Sequence, residues 1–168
     1  MSTYLKEFNF EKPPVKITYF EKEFLKLNSE FIFFHNKSKF RKELTKLQVL
    51  FKSYTNTPLH AAGIRDSYLD DEYFEKYLIV LFTDSKQMKK VNKIVEKHSD
   101  IEINPGCFFL INTSDFMLLL SEDVEGIKSG IDTMEIILKQ ILEDYMNQKR
   151  FDDYIKICSF ELLDCSKR

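Results

Sequence analysis

Near the N-terminus apolar residues alternate with polar ones. Val15, Ile17 and Tyr19 face one way while Lys16 and Thr18 face the other, the period-two signature of a half-buried strand. Residues 24–27 and 31–34 continue the pattern, so three short strands are predicted in a meander. Pro13 and Pro14 ahead of them block helix and resist strand pairing, which sets residues 1–11 apart as a flexible tail and leaves 12–168 as one domain. From Ser38 the period lengthens. Phe40, Leu44, Leu47, Leu50, Phe51 and Tyr54 fall on one stripe with Lys and Glu opposite, which predicts a core-facing helix.

The second half is more apolar. Residues 57–63 form a weak strand, and an acidic surface loop follows. Residues 77–82, YLIVLF, are nearly all apolar, as a central strand covered on both faces should be. Asp84 and Ser85 cap a short helix whose stripe is Met88, Val91, Ile94 and Val95. Asn104-Pro105-Gly106 is a turn, and two apolar runs, 107–111 and 116–120, read as a hairpin. A long helix comes next, with Ile127, Ile131, Met134, Ile137, Leu138, Ile141 and Tyr145 on its buried face, and a strand over 155–163 ends the chain. Gly126 and Gly130 stand four apart on one side of that helix, where a missing side chain lets the backbone approach a sheet closely. Strands mostly adjoin strands, so the class is α+β: a mixed, largely antiparallel sheet of about six to seven strands with two main helices on one face.

The strand, the acidic turn and the Gly-x-x-x-Gly-x-x-Thr spacing (Asp123, Gly126, Gly130, Thr133) resemble the end of the small domain that precedes the catalytic barrel in beta-N-acetylhexosaminidase-type glycoside hydrolases. KPPVKITYFEKEFLKLNSEFIFF resembles that domain's opening, and IKICSFELLDCSKR resembles its closing strand. The resemblance implies that Asp164 and Arg168 lie at the junction with a barrel, that Gly126, Gly130 and Thr133 pack helix on sheet, and that the catalytic carboxylates belong to the barrel. It also implies that the sheet face away from the helices is covered partly by that barrel, leaving an exposed apolar patch when the barrel is absent.

Composition narrows the choice of function. With 168 residues, 43% of them apolar, the chain can bury one substantial core, and sixteen phenylalanines without a tryptophan fill it with flat non-polar rings. A net charge of −2 argues against a dedicated nucleic-acid surface. The basic residues Lys37, Lys39, Arg41, Lys42, Lys46 and Lys52 read as a solvated helix face, and the nearby Phe40 and Phe51 are buried away from any base. No apolar run reaches the roughly 18–20 residues of a membrane helix, and the N-terminus lacks a signal-peptide profile. Cys107, Cys158 and Cys165 are an odd count without a Cys-x-x-Cys pair, so they read as three reduced structural thiols. A complete chain of this kind is expected in the cytoplasm.

Candidate chemistry is sparse. Asp70-Asp71-Glu72 and Glu122-Asp123 are adjacent acids whose side chains diverge, the first a solvated loop and the second a helix N-terminal charge. His35, His60 and His98 have no metal-type spacing, and Cys107 lacks a histidine partner. Gly126-Ile127-Lys128-Ser129-Gly130 has three residues between its glycines where a phosphate loop needs four. No catalytic, cofactor or metal residue is assigned. The expected function is a non-catalytic accessory domain of a carbohydrate-active enzyme, with a barrel of the same parent protein as partner. The alternative is a stand-alone intracellular interaction module, for which a homodimer that covers the hydrophobic sheet face with itself is one arrangement.

Overall fold

The structure, a computed structural model, describes residues 4–28, 30–56, 60–64, 76–98, 100–147 and 155–166. The strands are β1 (Lys16–Leu27), β2 (Ile32–His35), β3 (Ala61–Gly63), β4 (Leu78–Thr83), β5 (Cys107–Asn112), β6 (Met117–Ser121) and β7 (Ile155–Cys165). The helices are α1 (Arg41–Thr55), α2 (Ser85–Met88), α3 (Val91–His98) and α4 (Val124–Asn147). The strands form one seven-stranded sheet in the order β1-β7-β5-β6-β4-β2-β3, antiparallel except for the β2–β3 pair. The fold is therefore α+β with a mixed, largely antiparallel sheet.

Its centre is buried on both sides. Every residue of β5 and β6 is buried, and successive residues of a strand point to opposite faces. Val80, Phe82, Phe108, Leu110, Met117 and Leu119 meet α1 and α4 in one core. Ile79, Leu81, Phe109, Ile111, Leu118 and Leu120 meet Val91, Ile94 and Val95 of α3 in the other. The two long helices thus share one face, and α3 covers the opposite face over β4, β6 and β5. Over β4, β6 and β5, where the resemblance leaves room for a barrel, the chain supplies its own cover.

The long helix α4 sits close to the sheet for a steric reason. A Cβ on Gly126 would overlap Ser121 Oγ and the Cys107 carbonyl oxygen, and one on Gly130 would overlap the Leu119 side chain. Thr133, one turn on, is half-buried. Asp123 caps the helix: its Oδ1 accepts from Gly126 N–H and its Oδ2 from Gly106 N–H, both at 2.8 Å. Ser121 Oγ donates to the Cys107 carbonyl at 2.8 Å. Polar contacts then tie α1 to α4, through Lys46 to Asp132 at 2.9 Å and Tyr54 to Glu143 at 2.8 Å.

Three features differ from the sequence reading. The first two predicted strands are one, because β1 keeps its pairing with β7 through an irregularity between Phe20 and Phe24; Glu21, Lys22 and Glu23 bulge out instead of turning the chain. Residues 4–10, read as part of a flexible tail, dock on the core: Phe8 is buried against Phe160, and Asn9 exchanges backbone hydrogen bonds with the Gln140 amide. Cys107 and Cys165 are not reduced thiols but a disulfide; though 58 residues apart in sequence, they are direct partners in the β5–β7 ladder. Cys158 alone is free, its thiol pushed up to about 11 by burial. Asp164, which the resemblance places at a junction with a barrel, is buried, and its Oδ1 accepts from Val15 N–H at 3.3 Å. Arg168 and the acids Asp70, Asp71 and Glu72 lie outside the described residues.

The contact at Gly126 can be tested by adding one methyl group. Gly126→Ala is expected to lower stability by about 1–3 kcal/mol in urea unfolding, although alanine is intrinsically favoured over glycine in a helix by about 1 kcal/mol. Gly130→Ala should cost less, because leucine methyls can move and a carbonyl in a ladder cannot. A Gly126→Ala protein as stable as the parent would contradict the close approach.

Candidate functional site

The cover supplied by α3 stops short of β1 and β7, and a groove of about 580 Å³ opens there. Its position follows from the ladder. The β5–β7 pairing ends at Asn112 and Phe160, while β1 bulges immediately after Phe20, the partner of Ser159. Ser159 therefore lies where both neighbouring strands depart. Directly paired residues share a face, so Phe20 and Ser159 lie side by side, as do Ile111 and Glu161. The C-terminal end of α3 closes the groove with Lys97 and His98.

Two polar groups inside it lack partners. His98 is 8% exposed and Ser159 1%, and neither His98 Nε2 nor Ser159 Oγ makes a hydrogen bond. Such groups are uncommon, since a buried polar atom without a partner carries its full desolvation cost. Glu161 is half-buried and makes no ion pair or hydrogen bond within the described residues. Lys22, Lys97, Glu21 and Glu23 are exposed at the rim, and Phe20 is 42% exposed. A third unpartnered atom, Asn112 Oδ1, belongs to the other face: Asn112 pairs with core residue Phe160 and its amide nitrogen donates to the carbonyls of Ile157 and Cys158.

Burial holds the His98 imidazole below its ordinary value, Lys97 adds to the effect, and Glu161 and Asp100 oppose it. His35 is also lowered, again by burial and by Arg41, against its hydrogen bond to the Lys37 carbonyl. Both rings are thus neutral at neutral pH, and neutral imidazole offers one lone pair. No hydrogen bond joins Ser159 Oγ to His98, so the hydroxyl is not held by a base in the manner of an activated nucleophile. Among the described residues no three of His, Cys, Asp or Glu converge to hold a metal ion, and none of the helices is long and apolar enough to cross a membrane.

The residues singled out from sequence do not form a site together. Gly126 and Asp123 meet at the start of α4 and Gly130 faces Leu119, all structural positions, while Asp164 holds β1 at the β7 side of the sheet. His98, Ser159 and Glu161 were missed as a group. One signal was present: His98 continues the spacing of Val91, Ile94 and Val95 and so occupies an apolar-stripe position with a polar ring. No family model, curated protein or solved structure matches the chain.

The buried histidines couple stability to pH. A depressed folded-state pKa means that the unfolded chain binds protons more readily, so stability is complete above the ordinary value of 6.5 and is lost as pH falls through the lower folded values. Urea unfolding is expected to show a plateau above pH 7 and a decline below pH about 6.5 that His98→Gln partly flattens. Stability that is constant or rises across that interval would contradict the assignment.

Proposed function

We propose that this chain is a non-catalytic accessory domain that works by contact, through the β1–β7 half of its second sheet face. The observation that supports this reading is the uneven cover of that face: α3 and its flanking residues bury β4, β6 and β5, whereas β1 and β7 keep Phe20, Glu161 and an open groove. The resemblance to the domain that precedes a hexosaminidase-type barrel supplies the class of partner, a catalytic barrel acting on glycans that contain N-acetylhexosamine. Two long helices on one face of a seven-stranded sheet are in keeping with it. Contact with such a barrel would use a strip of the sheet rather than the whole face.

A homodimer of the stand-alone alternative would cover an apolar sheet face with itself; pairing through the sheet edges is a separate route, and the edges disfavour it. Edge strand β3 is three residues long, and edge strand β1 carries a bulge together with Lys16, Glu21, Lys22, Glu23 and Lys26. Short, bulged and charged edges are the usual defence against edge-to-edge association.

The purified chain is expected to release no chromophore from an aryl N-acetyl-β-glucosaminide and to elute as a monomer by light scattering. Turnover that persists through purification would refute the non-catalytic reading. A stable dimer abolished by proline substitutions in β1 would refute contact through the open strip.

A further inference from the structure

Independently of the accessory role, we propose that the groove beneath the β1 bulge binds a protonated primary amine, whose three N–H donors are taken by the Glu161 carboxylate, Ser159 Oγ and His98 Nε2. Ligand and groove match in valence. An ammonium group has three donors and a single positive charge. The groove presents a carboxylate with no cation paired to it, a buried hydroxyl with no partner, and a buried imidazole nitrogen with no partner. All three line the groove: Ser159 and Glu161 are two residues apart on β7 and so share a face, and α3 brings His98 over that face beside the Phe109 ring.

Other ligand classes fit less well. An anion would meet Glu161 inside and Glu21 and Glu23 at the rim, while Lys22 and Lys97 are exposed and solvated. A neutral polyol could bond to Ser159 and His98 but would leave the half-buried Glu161 charge without a counter-ion, which is the costly outcome in a partly desolvated site. The groove exceeds the size of an ammonium group alone, so room remains for a carbon body against Phe20 and Ile111. A small free amine and a lysine side chain of another protein offer the same head group.

Acid should weaken binding. The groups facing His98 are Lys97 on its own helix, Asp100 just beyond it, Glu161 on β7 and the Phe109 ring on β5. Protonation of the ring removes an acceptor and places a second cation beside the bound one.

The test is a titration of the isotope-labelled full chain followed by amide and imidazole NMR signals, using cadaverine, Nα-acetyl-lysine amide and, as the uncharged control, 1-pentanol. Saturable shifts at His98, Ser159 and Glu161 with either amine and not with the alcohol are expected. Glu161→Gln should weaken binding roughly tenfold or more, since it removes a charge-assisted hydrogen bond. Ser159→Ala should weaken it less, with each variant's spectrum reporting that the fold is kept. Saturation by cadaverine points to a free amine, and saturation by the lysine amide alone to a protein side chain. Absence of saturable shifts with both amines, equal shifts with the alcohol, or unchanged affinity in Glu161→Gln would overturn the proposal.

Discussion

The structure depends on burying one antiparallel ladder, β4-β6-β5, between two apolar layers. Because α1 and α4 lie on one side and α3 on the other, the central strands must be apolar along most of their length, and β5 and β6 are apolar except at their last residues, Asn112 and Ser121. Full burial from both sides leaves no freedom in how the long helix docks. Gly126 and Gly130 let its backbone reach the sheet, and the Asp123 cap and Ser121 hydrogen bonds fix its start against β5. The disulfide at Cys107 ties β7 to the same corner, where Ser166 N–H also donates to the Gly106 carbonyl at 2.8 Å.

The same geometry explains why a polar groove exists. The second layer, built around the eight-residue α3, buries β4, β6 and β5 but leaves the sheet open toward β1, where packing comes chiefly from the side of the long helices. On the open side the sheet can carry polar groups such as Ser159 and Glu161, and the bulge in β1 withdraws the neighbour that would have flattened the surface over them. Site and scaffold therefore come from one constraint: the second layer is smaller than the sheet.

Much of this was legible in the chain. Continuous apolar runs marked the strands buried on both faces, the 3.6-residue stripes marked α1, α3 and α4, and the paired glycines marked the close helix. The bulge was not legible, because Glu21-Lys22-Glu23 between two apolar runs has the composition of a turn, and only pairing with β7 keeps the strand continuous. The disulfide depends on ladder register between residues 58 apart, which spacing along the chain does not encode. The groove escaped for the same reason: α3, β5 and β7 each contribute two residues to it and β1 a run of five, and in its own segment none of them announces a site. His98, a polar ring on an apolar stripe, was the single local clue.

The central claim is that the fold holds polar groups on its open strip without partners of their own. A crystal structure at a resolution that orders water tests it most directly. The account predicts a groove that stays open, with an ordered water or ligand bonded to both Ser159 Oγ and His98 Nε2. A closed groove, with Ser159 Oγ bonded directly to His98 or to neighbouring backbone, would contradict it.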